Sequence, residues 1–124
     1  MGIMKRCLIV DDSRFVRKLA RRYLEELEFL VDEAEDGQQA LGFCEQGLPD
    51  CVLLDWVMPV MDGLAFMREM RKLPGAGGVK ILFCTVQNEL PDIETALAEG
   101  ADEYIMKPFD KETLRSKLLQ VGLL

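Results

Sequence analysis

Five polar residues of this chain stand directly behind short apolar runs. Asp11 and Asp12 follow Cys7–Val10, Asp55 follows Cys51–Leu54, Thr85 follows Val79–Cys84, and Lys107 follows Tyr104–Met106. Three carboxylates brought together repel one another, and burial adds to the cost. Such a cluster persists where a cation neutralises it. An all-oxygen donor set with few carboxylates suits Mg²⁺, which keeps positions open for water and phosphoryl oxygens. Beside such an ion one carboxylate can be the nucleophile of a phosphoryl transfer, becoming an acyl phosphate. A hydroxyl can then donate to a phosphoryl oxygen, and an ammonium can pair with the transferred group as a point charge. No His is needed for this chemistry, and the chain has none.

Other acidic residues have simpler employment. Asp36, Asp62 and Asp110 each precede a helical segment and read as N-caps, as do Ser13 and Asn88, with Gln39 completing a capping box behind Asp36. Asp50, after Pro49, reads as a turn residue. Asp11, Asp12 and Asp55 close apolar strands instead, and only Asp12 is placed to help cap the first helix.

The elements that must position these residues alternate along the chain. The apolar runs are continuous, as expected for strands covered on both faces. Phe29–Val31 is a fifth candidate strand. Between the runs lie helical spacings: Val16, Leu19, Ala20, Tyr23, Leu24 and Leu27 in the first, with shorter series at Ala40–Cys44, Leu64–Met70, Ile93–Leu97 and Leu114–Val121. Gly122 is placed to end the last helix. Gly75–Gly78 precedes a strand and lacks a following Lys-Ser/Thr, so it is a turn and not a phosphate loop. The expectation is a (βα)5 doubly wound α/β fold, with five parallel strands joined by right-handed crossovers. All the strand ends carrying the polar residues then lie on one edge of the sheet, where ligands bind in such folds.

Composition narrows the function. The 124 residues suit one domain with one real core and leave no room for a second. With 22 Asp+Glu against 15 Lys+Arg the net charge is −7, which argues against a nucleic-acid binder. No apolar stretch approaches a membrane span, and the run behind Lys5 and Arg6 is too short for a secretory signal. No membrane insertion and a cytoplasmic location are expected. Cys7, Cys44, Cys51 and Cys84 form no CxxC pair and read as buried thiols.

The ordered motifs Leu8-Ile9-Val10-Asp11-Asp12-Ser13, Leu53-Leu54-Asp55-Trp56-Val57-Met58-Pro59 with Asp62-Gly63, Thr85, and Tyr104-Ile105-Met106-Lys107-Pro108-Phe109 resemble the receiver domain of bacterial two-component response regulators. The resemblance spans residues 1–124 and is to the stand-alone, chemotaxis-regulator-like type without an output domain. It implies a flavodoxin-like sheet of strand order 2-1-3-4-5. It further implies that Asp55 is the phosphoacceptor, served by a histidine kinase or a histidine phosphotransfer protein. Asp11 and Asp12 match the acidic pair that holds Mg²⁺, with Asp55 and the backbone carbonyl of Val57. Thr85 and Lys107 match the switch hydroxyl and the phosphate-pairing lysine, Tyr104 the aromatic switch, and Lys107-Pro108 a cis peptide. Val86, Val57 and Gln87 differ from the commonest family pattern or lie where it varies, so the phosphoryl lifetime is left open.

Three classes of function are weighed on these residues. The first is a phosphorylated switch that binds a partner protein or passes the phosphoryl group onward in a relay, with no enzyme activity beyond its own phosphorylation and dephosphorylation. The second is an Asp-nucleophile phosphatase, whose Asp-x-Asp motif Asp55-Trp56-Val57 lacks. The third is a non-phosphorylated receiver-like scaffold, which would normally have lost one of the key residues. Two charged surfaces are also legible. Residues 89–112 hold eight acidic and two basic side chains, most of the net charge. The first helix carries Arg14, Arg17, Lys18, Arg21 and Arg22 against Glu25, Glu26 and Glu28. Its cations oppose the helix dipole and suggest a docking patch for an acidic partner surface, with Arg17 and Arg21 as contact residues; the resemblance implies that the phosphodonor docks near this helix.

Overall fold

The computed structural model describes residues 4–86 and 90–124, with side chains from Ile93 onward in the second stretch. The chain runs β1 (Arg6–Val10), α1 (Arg14–Glu26), β2 (Leu30–Ala34), α2 (Gly37–Gln46), β3 (Cys51–Asp55), α3 (Gly63–Met70), β4 (Lys80–Val86), α4 (Leu90–Glu99), β5 (Glu103–Lys107) and α5 (Lys111–Gln120). A single 3-10 turn at Ala76–Gly78 leads into β4, where the glycine-rich stretch was expected to turn. All pairings are parallel and the strand order is β2-β1-β3-β4-β5. This is the doubly wound, flavodoxin-like α/β fold expected from the alternation.

Two cores flank the sheet because its central strands are apolar on both faces. One holds Leu8, Val10, Val52, Leu54, Ile81 and Phe83, under α2, α3 and α4. The other holds Cys7, Ile9, Cys51, Leu53, Leu82 and Cys84, under α1 and α5. All four cysteines are free and buried. Hydrogen bonding to Cys51 and burial push the Cys7 thiol up, and burial does the same for Cys84, so both stay protonated and inert.

The edge strand differs from expectation. The candidate Phe29–Val31 becomes Leu30–Ala34, because the strand continues through Asp32 and Glu33. Both acidic residues point to cations on neighbouring elements: Asp32 meets Arg6 at 3.1 Å, while Glu33 meets Arg17, Lys18 and Arg21. β4 and β5 are also longer than their apolar runs, so Thr85 and Lys107 lie within the last residues of their strands.

Helix ends follow the sequence signals. Ser13, Asp36, Asp62 and Asp110 each accept a hydrogen bond from the backbone N–H three residues on. Gln39 reaches back to the N–H of Glu35, one residue before the cap. Asn88 lies outside the described residues. α5 ends as expected at Gly122, whose φ is 83°, with the Leu123 N–H donating to the Leu118 carbonyl.

The loop from β3 to α3 is the tightest part of the chain. Val60 has φ 69°, and the Met61 N–H closes on the Pro59 carbonyl at 2.7 Å, a three-residue turn rarely taken by a β-branched residue. Gly63 starts α3 directly beneath the end of β3. A Cβ there would lie 2.4 Å from the Asp55 carbonyl oxygen and 3.1 Å from the Trp56 Cα. Both contacts are backbone, so the loop itself must move. Gly63→Ala is therefore expected to lower stability by about 2 kcal/mol, measured by urea unfolding, and to displace the end of β3. An unchanged midpoint would show that the loop yields freely.

Candidate functional site

The topology reverses direction between β1 and β3, which are neighbours at the centre of the sheet. Crossovers leave to opposite faces there, opening a crevice at the carboxyl edge. Asp11 and Asp12 enter it from the end of β1 and Asp55 from the end of β3. Carboxylate oxygens of the three lie within 4.8 Å of one another. Lys107 reaches across from β5, with Nζ 2.8 Å from Asp11 Oδ2 and 3.0 Å from Asp55 Oδ1. Thr85 is buried in β4, paired across the sheet with Met106 beside Lys107.

Asp11 is the most enclosed of the acids. Its Oδ1 accepts from the Ser13 N–H at 2.9 Å, its own N–H donates to the Ala34 carbonyl at 3.1 Å, and its carbonyl accepts from Arg17 Nη1 at 2.8 Å. Asp12 is exposed at the mouth of the crevice. Asp55 sits between them in depth.

The electrostatics follow from this crowding. At an effective dielectric of about 20, two carboxylates at this spacing repel by about 3 kcal/mol. Burial, and then the nearby Asp11 charge, push the Asp55 carboxyl above its ordinary value against the pull of Lys107. Burial draws the Lys107 ammonium down, but hydrogen bonds and charges from Asp11 and Asp55 outweigh it and leave its pKa raised to about 12. Lys107 is therefore charged throughout the neutral range. Three carboxylates and one ammonium sum to −2, the charge that one divalent cation offsets. The donor set is all oxygen and already gathered, so it fits a hard divalent ion such as Mg²⁺.

The other sequence candidates are placed as follows. Val57 follows β3 and is 64% exposed. Tyr104 lies on β5, half-buried, with Lys117 Nζ 4.3 Å above its ring. Trp56 packs on Phe83 with ring centroids 4.9 Å apart, next to Asp55 in sequence. The Lys107–Pro108 peptide is cis.

One expectation fails. Arg17 is not a surface contact: it is 7% exposed, with Nε 3.1 Å from Glu33 Oε1 as well as Nη1 on the Asp11 carbonyl. Arg21 is also engaged, by Glu33 and Glu25. The cations that α1 leaves exposed are Arg14, Lys18 and Arg22, beside Phe15, which is 75% exposed. Phe15 borders an apolar groove of about 300 Å³ shared with Leu19, Val86, Phe109 and Lys107. Sequence reasoning missed both the groove and the Arg17–Glu33 pair. A signal for Arg17 was present: it shares the spacing of Ala20 and Leu24, the other buried residues of α1.

A sheet with this order and an acidic crevice closed by a lysine defines a class, and comparison with known proteins agrees. Residues 7–119 match the response regulator receiver domain, and the chain belongs to that family. It is 38% identical over 94% of its length to a chemotaxis protein CheY of Halobacterium salinarum, covering 96% of that protein. It is 36% identical to a probable transcriptional regulator ycf27 of Guillardia theta, of which it covers 45%. The crystallised chemotaxis protein CheY4 of Vibrio cholerae superposes with a TM-score of 0.90 at 31% identity, over 96% of this chain and 99% of that one.

The raised Asp55 carboxyl makes a stability prediction. Its folded-state pKa lies above the unfolded one, so its charge destabilises the fold at neutral pH, and losing that charge relieves the strain. In the absence of divalent cation, Asp55→Asn is expected to raise the melting temperature, by about 4 °C for each kcal/mol relieved. A lower melting temperature would mean that the Lys107 contact outweighs the repulsion.

Proposed function

We propose that this protein is a phosphorylation switch in which Asp55 accepts a phosphoryl group from a phosphohistidine of a histidine kinase or a histidine phosphotransfer protein. The single observation that carries this reading is the Lys107 ammonium bridging Asp11 and Asp55 with Asp12 alongside. In the transfer, an Asp55 carboxylate oxygen attacks phosphorus, the P–N bond of the donor breaks, and the electron pair leaves with the imidazole. Asp11, Asp12 and Asp55 would hold Mg²⁺, with the Val57 backbone carbonyl as a further donor by family resemblance. Bound there, the ion supplies charge neutralisation between the anionic nucleophile and the anionic donor. Lys107, already hydrogen-bonded to Asp55, is placed to follow the charge onto the phosphoryl oxygens.

Signalling then rests on Thr85 and Tyr104. A hydrogen bond from the Thr85 hydroxyl to the phosphoryl group would draw the end of β4 toward Asp55, and the space vacated favours an inward Tyr104 ring. The output is binding to a partner protein, in keeping with the near-complete coverage of CheY relatives, or onward transfer of the phosphoryl group. The chain performs its own phosphorylation and dephosphorylation and needs no other enzymatic activity. Among the described residues no helix is long and apolar enough to cross a membrane.

Trp56 adjoins Asp55 and is the only tryptophan. Its fluorescence is expected to change on adding Mg²⁺ and again on adding beryllofluoride, a mimic of the phosphoryl group. In Asp55→Asn the second change should vanish. A mimic response that survives in that variant would place the acceptor elsewhere.

The groove beside Lys107 gives the donor a seat. An apolar cleft lined by Phe15, Leu19, Val86 and Phe109, with Lys107 beside it and exposed cations on the helix that carries Phe15, suits an amphipathic helix with acidic borders. Phe15→Ala is expected to slow transfer from the cognate phosphohistidine protein by about tenfold, as for loss of an aromatic anchor. Transfer from a small acyl phosphate should stay unchanged. Equal slowing of both would locate the effect in the chemistry and not in docking.

A further inference from the structure

Arg17 is the one buried cation of α1, and its guanidinium reaches two hydrogen-bond partners on different parts of the chain, with Nη2 also 4.0 Å from Glu35 Oε1. Nη1 donates to the Asp11 carbonyl at 2.8 Å, and Nε donates to Glu33 of β2 at 3.1 Å. The Arg17 side chain is 9% exposed and the Glu33 side chain 11%. Lys18 and Arg21 also bind Glu33. Burial pushes the Glu33 carboxyl up, but the three cations overcome it and hold it below its ordinary value, so it is charged at neutral pH. The guanidinium is thus held by a fixed carboxylate while its other edge grips a backbone oxygen.

That oxygen belongs to the peptide joining Asp11 to Asp12. Asp11 is already fixed through its N–H and both carboxylate oxygens. Asp12 is exposed at the mouth of the crevice, so its direction depends on the plane of that peptide. We propose that Arg17 is a positioning residue for the divalent-cation site: with Glu33 it locks the Asp11–Asp12 peptide so that both carboxylates face one ion. The inference rests on the Mg²⁺ reading of the crevice given above. A planar guanidinium suits the task because its separate edges hold a carbonyl and a carboxylate at once, which an ammonium does less well.

A merely structural role predicts something different. If Arg17 only anchors α1 to β2, its loss lowers stability and leaves the affinity for Mg²⁺ unchanged. If it acts only through its charge, removing a cation near the site tightens Mg²⁺ binding. Positioning alone predicts weaker binding after a cation is lost, opposite in sign to the electrostatic effect.

The test is calorimetric titration with Mg²⁺ of the wild-type protein, Arg17→Met, Arg17→Lys, Glu33→Gln and Asp12→Asn, with melting temperatures taken without divalent cation. Arg17→Met is expected to bind Mg²⁺ about tenfold more weakly, the scale seen when a partner of a metal ligand is removed. Arg17→Lys should recover part of the loss, and Glu33→Gln, which frees the guanidinium, should lose part of the affinity. Asp12→Asn should lose Mg²⁺ binding altogether. An Arg17→Met protein that melts lower but binds Mg²⁺ as tightly as wild type, or more tightly, overturns the proposal. Should that variant fail to fold, unchanged affinity in both Arg17→Lys and Glu33→Gln overturns it equally. A wild-type protein that binds no Mg²⁺ would instead overturn the underlying reading of the crevice, and this inference with it.

Discussion

Three carboxylates meeting one ammonium at the edge of a sheet is the constraint on which the rest of this molecule depends. Lys107 joins Asp11 and Asp55 at 2.8 and 3.0 Å, yet the cluster keeps two uncompensated negative charges. A protein could remove that repulsion by replacing any one acid, so keeping all three is a cost that the fold must carry. It carries it through rigid backbone. β1 and β3 are buried centre strands with two apolar cores pressed on them, and losing a large side chain from either core would cost about 2–5 kcal/mol. The acids cannot drift apart without breaking strand pairing between Val10 and Leu54, the last paired residues before them.

The same rigidity concentrates freedom where a switch needs it. The crevice lies at the ends of strands, so the groups that would respond to a new charge on Asp55 are strand termini and loops. Thr85 and Lys107 are the second-last residue of β4 and the last of β5, and each is hydrogen-bonded within the protein through a side chain that can turn. Tyr104 stands three residues earlier on β5, where Lys117 lies over its ring and pairs with Glu103. An added phosphoryl group changes the local charge by nearly two units, so it acts first on the ammonium and hydroxyl nearest to it. The tyrosine is one strand step further out, and its present ring position is held by a cation on α5.

Much of this was legible in the sequence because the site is written in local contrasts. A polar residue at the end of an apolar run is conspicuous, and Asp11, Asp55, Thr85 and Lys107 are all of that kind. Helix caps are equally local, and Ser13, Asp36, Asp62 and Asp110 cap as read. What escaped is long-range. The apolar pattern ends β2 early because Asp32 and Glu33 break it, and only their cations on β1 and α1 explain two acids in the middle of an edge strand. Arg17 reads as a surface residue because it stands among four other cations on one helix, and such a run normally faces solvent. Its burial depends on Glu33, sixteen residues away on a different element, and no periodicity within α1 encodes that partner. The groove beside Phe15 likewise needs Val86 and Phe109 from two other elements to exist.

On the proposed reading the cationic helix carries two functions that its sequence merges into one stripe of charge. Arg17 and Arg21 turn inward to Glu33, and Arg14, Lys18 and Arg22 remain at the surface, Lys18 while still touching Glu33. The inward pair offsets the cost of an unfavourable helix dipole, since Glu33 supplies the negative charge that the first turn of α1 lacks. It also ties the helix to the backbone of Asp11. A partner pressing on Phe15 or Lys18 would load the same helix whose buried guanidinium grips the acidic pair. Docking and cation binding then share one rigid element, and by linkage whatever one does to the orientation of that element must be felt by the other.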